Sequence, residues 1–354
     1  MDIIQTLAQQ LNLTAEQVGK TVQLIDEGNT IPFIARYRKE VTGSLDDSVL
    51  RTLDEKLTAL RNLAQRKQEV QDLIGAQGKL TEEVRAAIER AATVTEVDDI
   101  YRPFRPKRKT RASVARERGL EDLAILLFAQ EKSYTPSIEE QAARFVDPER
   151  EVPDVAAALQ GAMDIVAEEV SDNADYRREL RRLTFDAGSL TSKAAKEEDS
   201  VYAMYYDFSE PLRKLPGHRI LAINRGEKEE FLKVALTVPE DVVLGYLYNR
   251  VLSGNRSPAE PYVREAVTDA YNRLIAPSIE REIRNDLFDT ACEGAIKVFS
   301  DNLGHLLMQP PLKGKVVLGF DPGYAHGCKL AVVDPTGKVL DTAVVYPTIK
   351  PRAE

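Results

Sequence analysis

The residues of this chain best suited to chemistry lie between Tyr101 and Arg118, YRPFRPKRKTRASVARER. Eight are basic (Arg102, Arg105, Lys107, Arg108, Lys109, Arg111, Arg116, Arg118) and one, Glu117, is acidic, a net of +7 in eighteen residues. The whole chain carries 48 Lys+Arg against 57 Asp+Glu, so everything outside this stretch holds 40 basic and 56 acidic groups. A positive island on an acidic body attracts a polyanion locally while the body resists indiscriminate adhesion. Tyr101 and Phe104 are interleaved with the cations, which would set stacking surfaces beside phosphate-pairing groups. Pro103 and Pro106 fix their own φ and push Arg102 and Arg105 toward extended backbone, so a stiff loop is expected.

On this reading Arg102, Arg105, Lys107, Arg108, Lys109 and Arg111 contact phosphates, and Tyr101 and Phe104 stack bases. The partner is RNA or DNA, bound weakly and with tolerance of sequence. Neutralising about five phosphates would make log affinity fall with log salt at a slope of roughly −4 to −5. Composition equally allows the segment to fold back on acidic helices, with Tyr101 and Phe104 in the core. A rival function is a protein-interaction module that docks transcription or translation machinery.

Metal chemistry has little to work with. Among three histidines (His218, His305, His326) and two cysteines (Cys292, Cys328), only His326 and Cys328 are close in sequence. Two ligands do not make a tetrahedral site, so neither metal nor other cofactor is expected, and no small-molecule substrate either. Two distant cysteines form no disulfide framework, which fits a reducing cytoplasm. No apolar run approaches the ~18–20 residues of a membrane span, and the first ten residues lack a signal-peptide pattern.

The elements that must position these residues are mostly helices. Capping residues and apolar spacing predict helices over 2–11 and 14–27, and a third opening at Ile31-Pro32. Arg36, Arg38 and Lys39 sit on that third helix, in what is either a helix-turn-helix-like module or a plain orthogonal bundle. Ser44 and Asp47 read as a capping box for a long helix to about Ile74, with Leu50, Leu53, Leu57, Leu60 and Leu63 as one buried stripe. Thr81, Thr95 and Ser113 read as caps of the next helices. Arg177, Arg178, Arg181 and Arg182, balanced by Asp172, Asp175 and Glu179, read as a solvated helix face. Ser189 to Ser200 reads as an exposed connector, and the segments 221–223 and 231–238 as strands or helix ends. Pro277 should kink or divide the helix that Ser257-Pro258 opens. After Pro310-Pro311 the pattern changes to three strands, at 315–320, 329–333 and 339–345.

Four stretches together resemble the Tex (transcription accessory protein) family, related to the eukaryotic Spt-type elongation factor that chaperones histones. They are TIPFIARYRKEVTGSLD (30–46), DIYRPFRPKRKTR (99–111), DFSEPLRKLPGHRILAINRGEKE (207–229) and LGFDPGYAHGCKLAVVD (318–334). The resemblance implies a mainly α fold: a multi-helical N-terminal region over 1–200, with a helix-turn-helix-like part near 1–45 and the basic loop at 101–118. A central helical region over 201–309 follows, and 315–354 begins a YqgF-type, RNase H-like domain. The family completes that domain and adds helix-hairpin-helix modules and an OB-fold RNA-binding domain, so the chain resembles the N-terminal half of a longer, cytoplasmic protein.

The resemblance also raises a nuclease reading through Asp321. RNase H-like nucleases hold two metal ions about 3.5–4 Å apart with several carboxylates, the first on the first strand. One carboxylate cannot do this, and Asp334 and Asp341 should lie too far along the meander to help. Asp321 is therefore expected to be a vestigial position and the chain a non-catalytic scaffold.

Overall fold

A computed structural model of the chain describes residues 2–106, 109–196, 198–310, 312–323 and 326–347. The chain divides into two compact units, Met1–Asp289 and Thr290–Glu354. In the first, α1 (Ile3–Leu11) starts behind Asp2, whose carboxylate accepts the Gln5 N–H at 3.2 Å. The next helix, α2 (Ala15–Asp26), starts behind Thr14, with Gln17 returning the bond as a capping box. α3 (Ile31–Tyr37) takes Pro32 in its first turn, where a missing N–H is harmless, and α4 (Lys39–Thr42) follows at once.

α5 (Asp47–Ala76) is capped by Asp46, whose carboxylate accepts the Val49 N–H at 2.9 Å. Ser44, expected in that role, has φ +63° in the turn leaving α4, whereas a cap needs extended backbone. The leucine stripe of α5 is buried as expected, with Leu60 partly so. Leu53 and Leu57 join Leu7, Val18 and Val22, while Leu50 joins Leu24, Ile34 and Leu45. The far half of α5 packs on α6 (Glu82–Arg90) and α7 (Val94–Tyr101) through Leu63, Val70, Ile74, Ile88, Val97 and Tyr101. Thr93, not Thr95, caps α7.

A 3₁₀ turn at Arg102–Phe104 leads to α8 (Arg111–Glu117), α9 (Glu121–Ala129) and α10 (Ile138–Ala142). These precede α11 (Val155–Asp172), which is buried along most of its length, and α12 (Ala174–Ala187). The expected connector after α12 is instead β1 (Ser189–Ala194), the middle strand of an antiparallel sheet ordered β2-β1-β3. Its Leu190 and Ser192 turn inward, and the Ser192 hydroxyl donates to the Tyr205 carbonyl at 2.7 Å, so a polar residue is satisfied inside. β2 spans Asp207–Pro211 and β3 spans Leu232–Thr237. The 221–223 segment falls within α13 (Gly217–Lys228).

α14 (Glu240–Val251) and α15 (Glu260–Asp269) complete the helical body. α16 (Ala276–Leu307) begins in the first unit and ends in the second. A π-helical turn, Ala270–Ile275, stands immediately before Pro277. Proline lacks an N–H and crowds the carbonyl four residues back, and one wide turn accommodates both defects without dividing the helix. In the second unit β4 (Val317–Asp321), β5 (Cys328–Val333) and β6 (Val339–Val345) form an antiparallel meander in that order. The architecture is the mainly α one with appended strands that the sequence predicts.

Candidate nucleic-acid interface

The basic stretch is less of a loop than its prolines suggest. α7 runs to Tyr101, the next residues turn as 3₁₀, and α8 begins at Arg111 behind Thr110. Thr110, not Ser113, is the cap; Ser113 stands three residues on and closes the capping box. Gly161 lets this ensemble sit close on α11, because a Cβ there would meet Leu120 Cδ1 at 2.3 Å and Ala115 Cβ at 3.4 Å.

The expected site residues among the described ones then find definite places. Tyr101 is only 6% exposed, packed in the α5–α6–α7 core, with the Arg66 and Arg105 guanidinium carbons 5.8 and 5.5 Å from its ring centroid. A ring enclosed in this way has no face for a base, which corrects its expected stacking role. Phe104 is partly buried against the same core, and its carbonyl accepts from Gln77 Nε2 at 2.9 Å. Arg102 is bonded to Asp172 at 3.2 Å; burial, and then the like charge of Arg177, lower its pKa. Arg102 is thus engaged by an internal carboxylate, where an outward phosphate contact was expected. Arg116 bonds Glu168 at 2.6 Å and Glu121 at 2.8 Å, and Arg118 bonds Glu151.

What faces solvent is a smaller set. The Arg105 side chain is half exposed, 4.0 Å from Asp98. Lys109 and Arg111 are exposed, and neither forms an ion pair among the described residues. Lys107 and Arg108 lie outside the described residues.

The second arginine cluster is not the solvated face expected of it. Arg177 is fully buried. Its Nε bonds Asp99 at 2.7 Å, and its Nη2 bonds Ser278 at 2.7 Å and Glu282 at 3.1 Å. Arg181 Nη2 bonds the other Asp99 oxygen at 2.9 Å and Glu282 at 2.7 Å. Asp99 on α7 and Glu282 on α16 are thereby bridged by one face of α12. Arg177 Nη1 has no hydrogen-bond partner among the described residues. Arg178 and Arg182, on the other face, pair with Asp175 and Glu179 in solvent. Positions 177 and 181 are one turn apart, so the helical period alone separates them from 178 and 182. Sequence reasoning had that signal but lacked the carboxylates, which come from distant segments.

Glu282 gives this network a pH dependence. Burial works to raise its pKa, but the hydrogen bonds from Arg181 and Ser278 and the charges of Arg181 and Arg177 outweigh burial and hold it below the ordinary range. A carboxyl depressed in the folded state stabilises above its unfolded pKa of about 4.3, and loses that contribution as pH falls through the folded value. Asp286 opposes the trend, because burial and the Glu282 charge raise its pKa and protonation relieves it. Thermal melts from pH 7 to pH 3 should therefore show a steeper loss of Tm below about pH 4.5 in the parent than in Glu282→Gln. Parallel curves would refute the assignment.

Asp321 ends β4 in an exposed position, opposite Lys329 on the neighbouring strand. Asp341 pairs with Val332 on β5. Positions 329 and 332 differ by an odd number, so Asp321 and Asp341 point to opposite faces of the meander. Their backbones are about 14 Å apart, from three residues along the strand and two strand spacings across. Asp334 accepts the Thr336 and Lys338 N–H groups at 2.8 and 2.9 Å, a turn-forming role. Among the described residues no group of three or more His, Cys, Asp or Glu could hold a metal ion. No helix among them is long and apolar enough to cross a membrane.

A helical body locked by internal ion pairs, carrying a strip of solvent-facing cations and followed by a β-meander, defines a multi-module helical protein. Family models agree in order along the chain. A Tex-like protein N-terminal domain matches residues 1–75, a Tex central region-like domain 133–299, and a Tex protein YqgF-like domain 315–354. The chain belongs to the Tex family. It is 45% identical over 349 residues to the uncharacterized protein YdcI of Bacillus subtilis, covering 97% of this chain and 48% of that protein. It is 38% identical over 354 residues to the transcriptional accessory protein Tex of Neisseria gonorrhoeae, covering 98% and 46%. A more distant relative is the human S1 RNA-binding domain-containing protein 1, 32% identical over 361 residues, covering 98% and 36%. The chain spans about half the length, or less, of these curated relatives.

Proposed function

We propose that this chain is a non-catalytic, nucleic-acid-binding scaffold that acts in transcription, contacting RNA or DNA backbones without regard to sequence. The observation that carries the reading is the set Arg105, Lys109 and Arg111, which are exposed on an otherwise acidic body; Arg105 reaches Asp98 only at 4.0 Å, whereas Arg102, Arg116 and Arg118 are bonded to carboxylates. Membership of a family whose relatives are named for transcription, and in one case for RNA binding, supports the same reading. A cytoplasmic setting and a helix-turn-helix-like part near residues 1–45 belong to this proposal. Phosphate contacts at Lys107 and Arg108, which lie outside the described residues, belong to the same proposal.

Fluorescence anisotropy with single- and double-stranded RNA and DNA at two salt concentrations tests it. Three cations engaged give a log–log salt slope of roughly −2 to −3, and five give roughly −4 to −5. Reversal of Arg105, Lys109 and Arg111 to glutamate should weaken all sequences alike and flatten the slope. Unchanged affinity would remove the strip from the site. Capture of transcription or translation proteins that survives nuclease treatment and ignores these reversals would favour a protein-docking role instead.

A further inference from the structure

The N-terminal helices carry a second basic surface, built differently from the first. Arg38 ends α3 with φ −131° and ψ 25°, which breaks the helix and sends α4 off in a new direction. The corner is held from below. Ile34 is fully buried with Leu24, Leu45 and Leu50, and the buried Thr42 hydroxyl donates to the Arg38 carbonyl at 3.3 Å. Gly43 makes the exit possible, because it has φ +71° and a Cβ there would lie 2.7 Å from Gln17 Nε2 on α2.

On this fixed base the outward residues are basic and aromatic. Tyr37 is 64% exposed, and its ring centroid is 5.2 Å from that of Phe33, one helical turn before it. The Arg38 guanidinium carbon lies 5.0 Å from the Phe33 centroid, and Arg38 Nη1 donates to the Tyr37 carbonyl at 3.0 Å, which fixes the cation beside the two rings. Arg36, Arg38 and Lys39 are all exposed, and none forms an ion pair among the described residues. Glu40 is the one carboxylate between residues 30 and 45. Most other arginines of this acidic chain have a carboxylate partner, so three unpaired cations in four consecutive residues leave a charge to be met from outside.

We infer that the α3–α4 corner is a binding site for single-stranded nucleic acid, with Tyr37 as the platform for one unstacked base and Arg36, Arg38 and Lys39 as contacts to the flanking phosphates. An exposed ring flanked by cations matches a strand whose bases are free to splay, because every base offers a face to stack and every linkage a phosphate. A duplex hides its bases, leaving Tyr37 without a role. The inference rests on the nucleic-acid reading above and gives the N-terminal helices a ligand of their own, a single strand, apart from the cations at 105–111.

The test uses the full chain and labelled oligouridylate and oligothymidylate of about 12 nucleotides, a duplex of equal length, and an abasic strand. Tyr37→Ala should weaken binding of either base-bearing strand about tenfold and leave the abasic strand and the duplex unchanged, while Tyr37→Phe retains parental affinity. The triple Arg36→Glu, Arg38→Glu, Lys39→Glu should reduce the magnitude of the log–log salt slope by roughly 2 to 3. These side chains are exposed, and circular dichroism checks that the helices persist. If the parent binds but the corner variants bind equally well, or if Tyr37→Ala affects duplex and single strand alike, the corner assignment fails and the first proposal stands. If the parent binds no nucleic acid at any salt, both fail.

Discussion

Replacing Arg177 by methionine is expected to destabilise the first unit by about 3–5 kcal/mol. The substitution keeps much of the aliphatic volume but leaves Asp99 and Glu282 facing each other, with Arg181 as the remaining cation between them. Removing one partner of a buried pair strands the other charge, and that desolvation, more than the lost attraction, sets the size of the effect. For a unit of this size Tm should fall by roughly 10 °C. Arg178→Met, one residue away on the solvent face, should change stability by under about 0.5 kcal/mol, because its pairing with Asp175 is exposed. Asp99→Asn added to Arg177→Met should recover part of the loss, since it removes the stranded charge. Urea unfolding of the four chains decides the matter. A loss under about 1 kcal/mol for Arg177→Met would mean that the network is not what joins α7, α12 and α16.

Ion pairing of the same long-range kind explains why the chain's most conspicuous sequence feature is only half legible. Charge density marked 101–118 correctly as unusual, but density does not say which cations already have partners. Those partners, Asp172, Glu168 and Glu121 on other helices and Glu151 in a turn, are ordinary acidic residues and carry no local mark. Tyr101 shows the limit from the other side. Placed beside arginines it reads as a stacking group, yet it closes the apolar face of α7 and belongs to the periodicity of Val97. A helix prolonged by one turn would have placed it inside.

Local rules served where the cause was local. The Thr14–Gln17 capping box, the α5 leucine stripe and the three C-terminal strands each follow from short-range chemistry and formed as expected. β1 did not announce itself because SLTSKA is polar. Its place in the centre of a sheet depends on a hydroxyl finding the Tyr205 carbonyl, a contact across thirteen residues. The exposed corner at Tyr37 belongs with these cases. Its residues were visible in the sequence, but only the buried base of Ile34, Thr42 and Leu45 makes it a fixed surface.

Gly161→Val is expected to loosen the packing that holds the basic helix, with a loss of about 1–3 kcal/mol. Even the first carbon of a side chain at 161 would fall 2.3 Å from Leu120 Cδ1 and touch Ala115, and valine adds two methyl groups that have no other direction to go. Leu120 is itself buried, with 1% exposure, so it cannot swing into solvent to make room. Relief must come from moving α8 and the start of α9 away from α11. That movement would stretch the Arg116 bond to Glu168, which ties the same two helices together. Amide hydrogen exchange should therefore show faster exchange in α8 and the first turn of α9, with α1 to α4 unchanged, because local opening follows lost packing. Gly161→Ala should give the same pattern at smaller amplitude. If α8 keeps its protection in the valine variant, the close approach at Gly161 is not what positions Arg111 and its neighbours. The solvent-facing strip would then owe its place to the ion pairs alone.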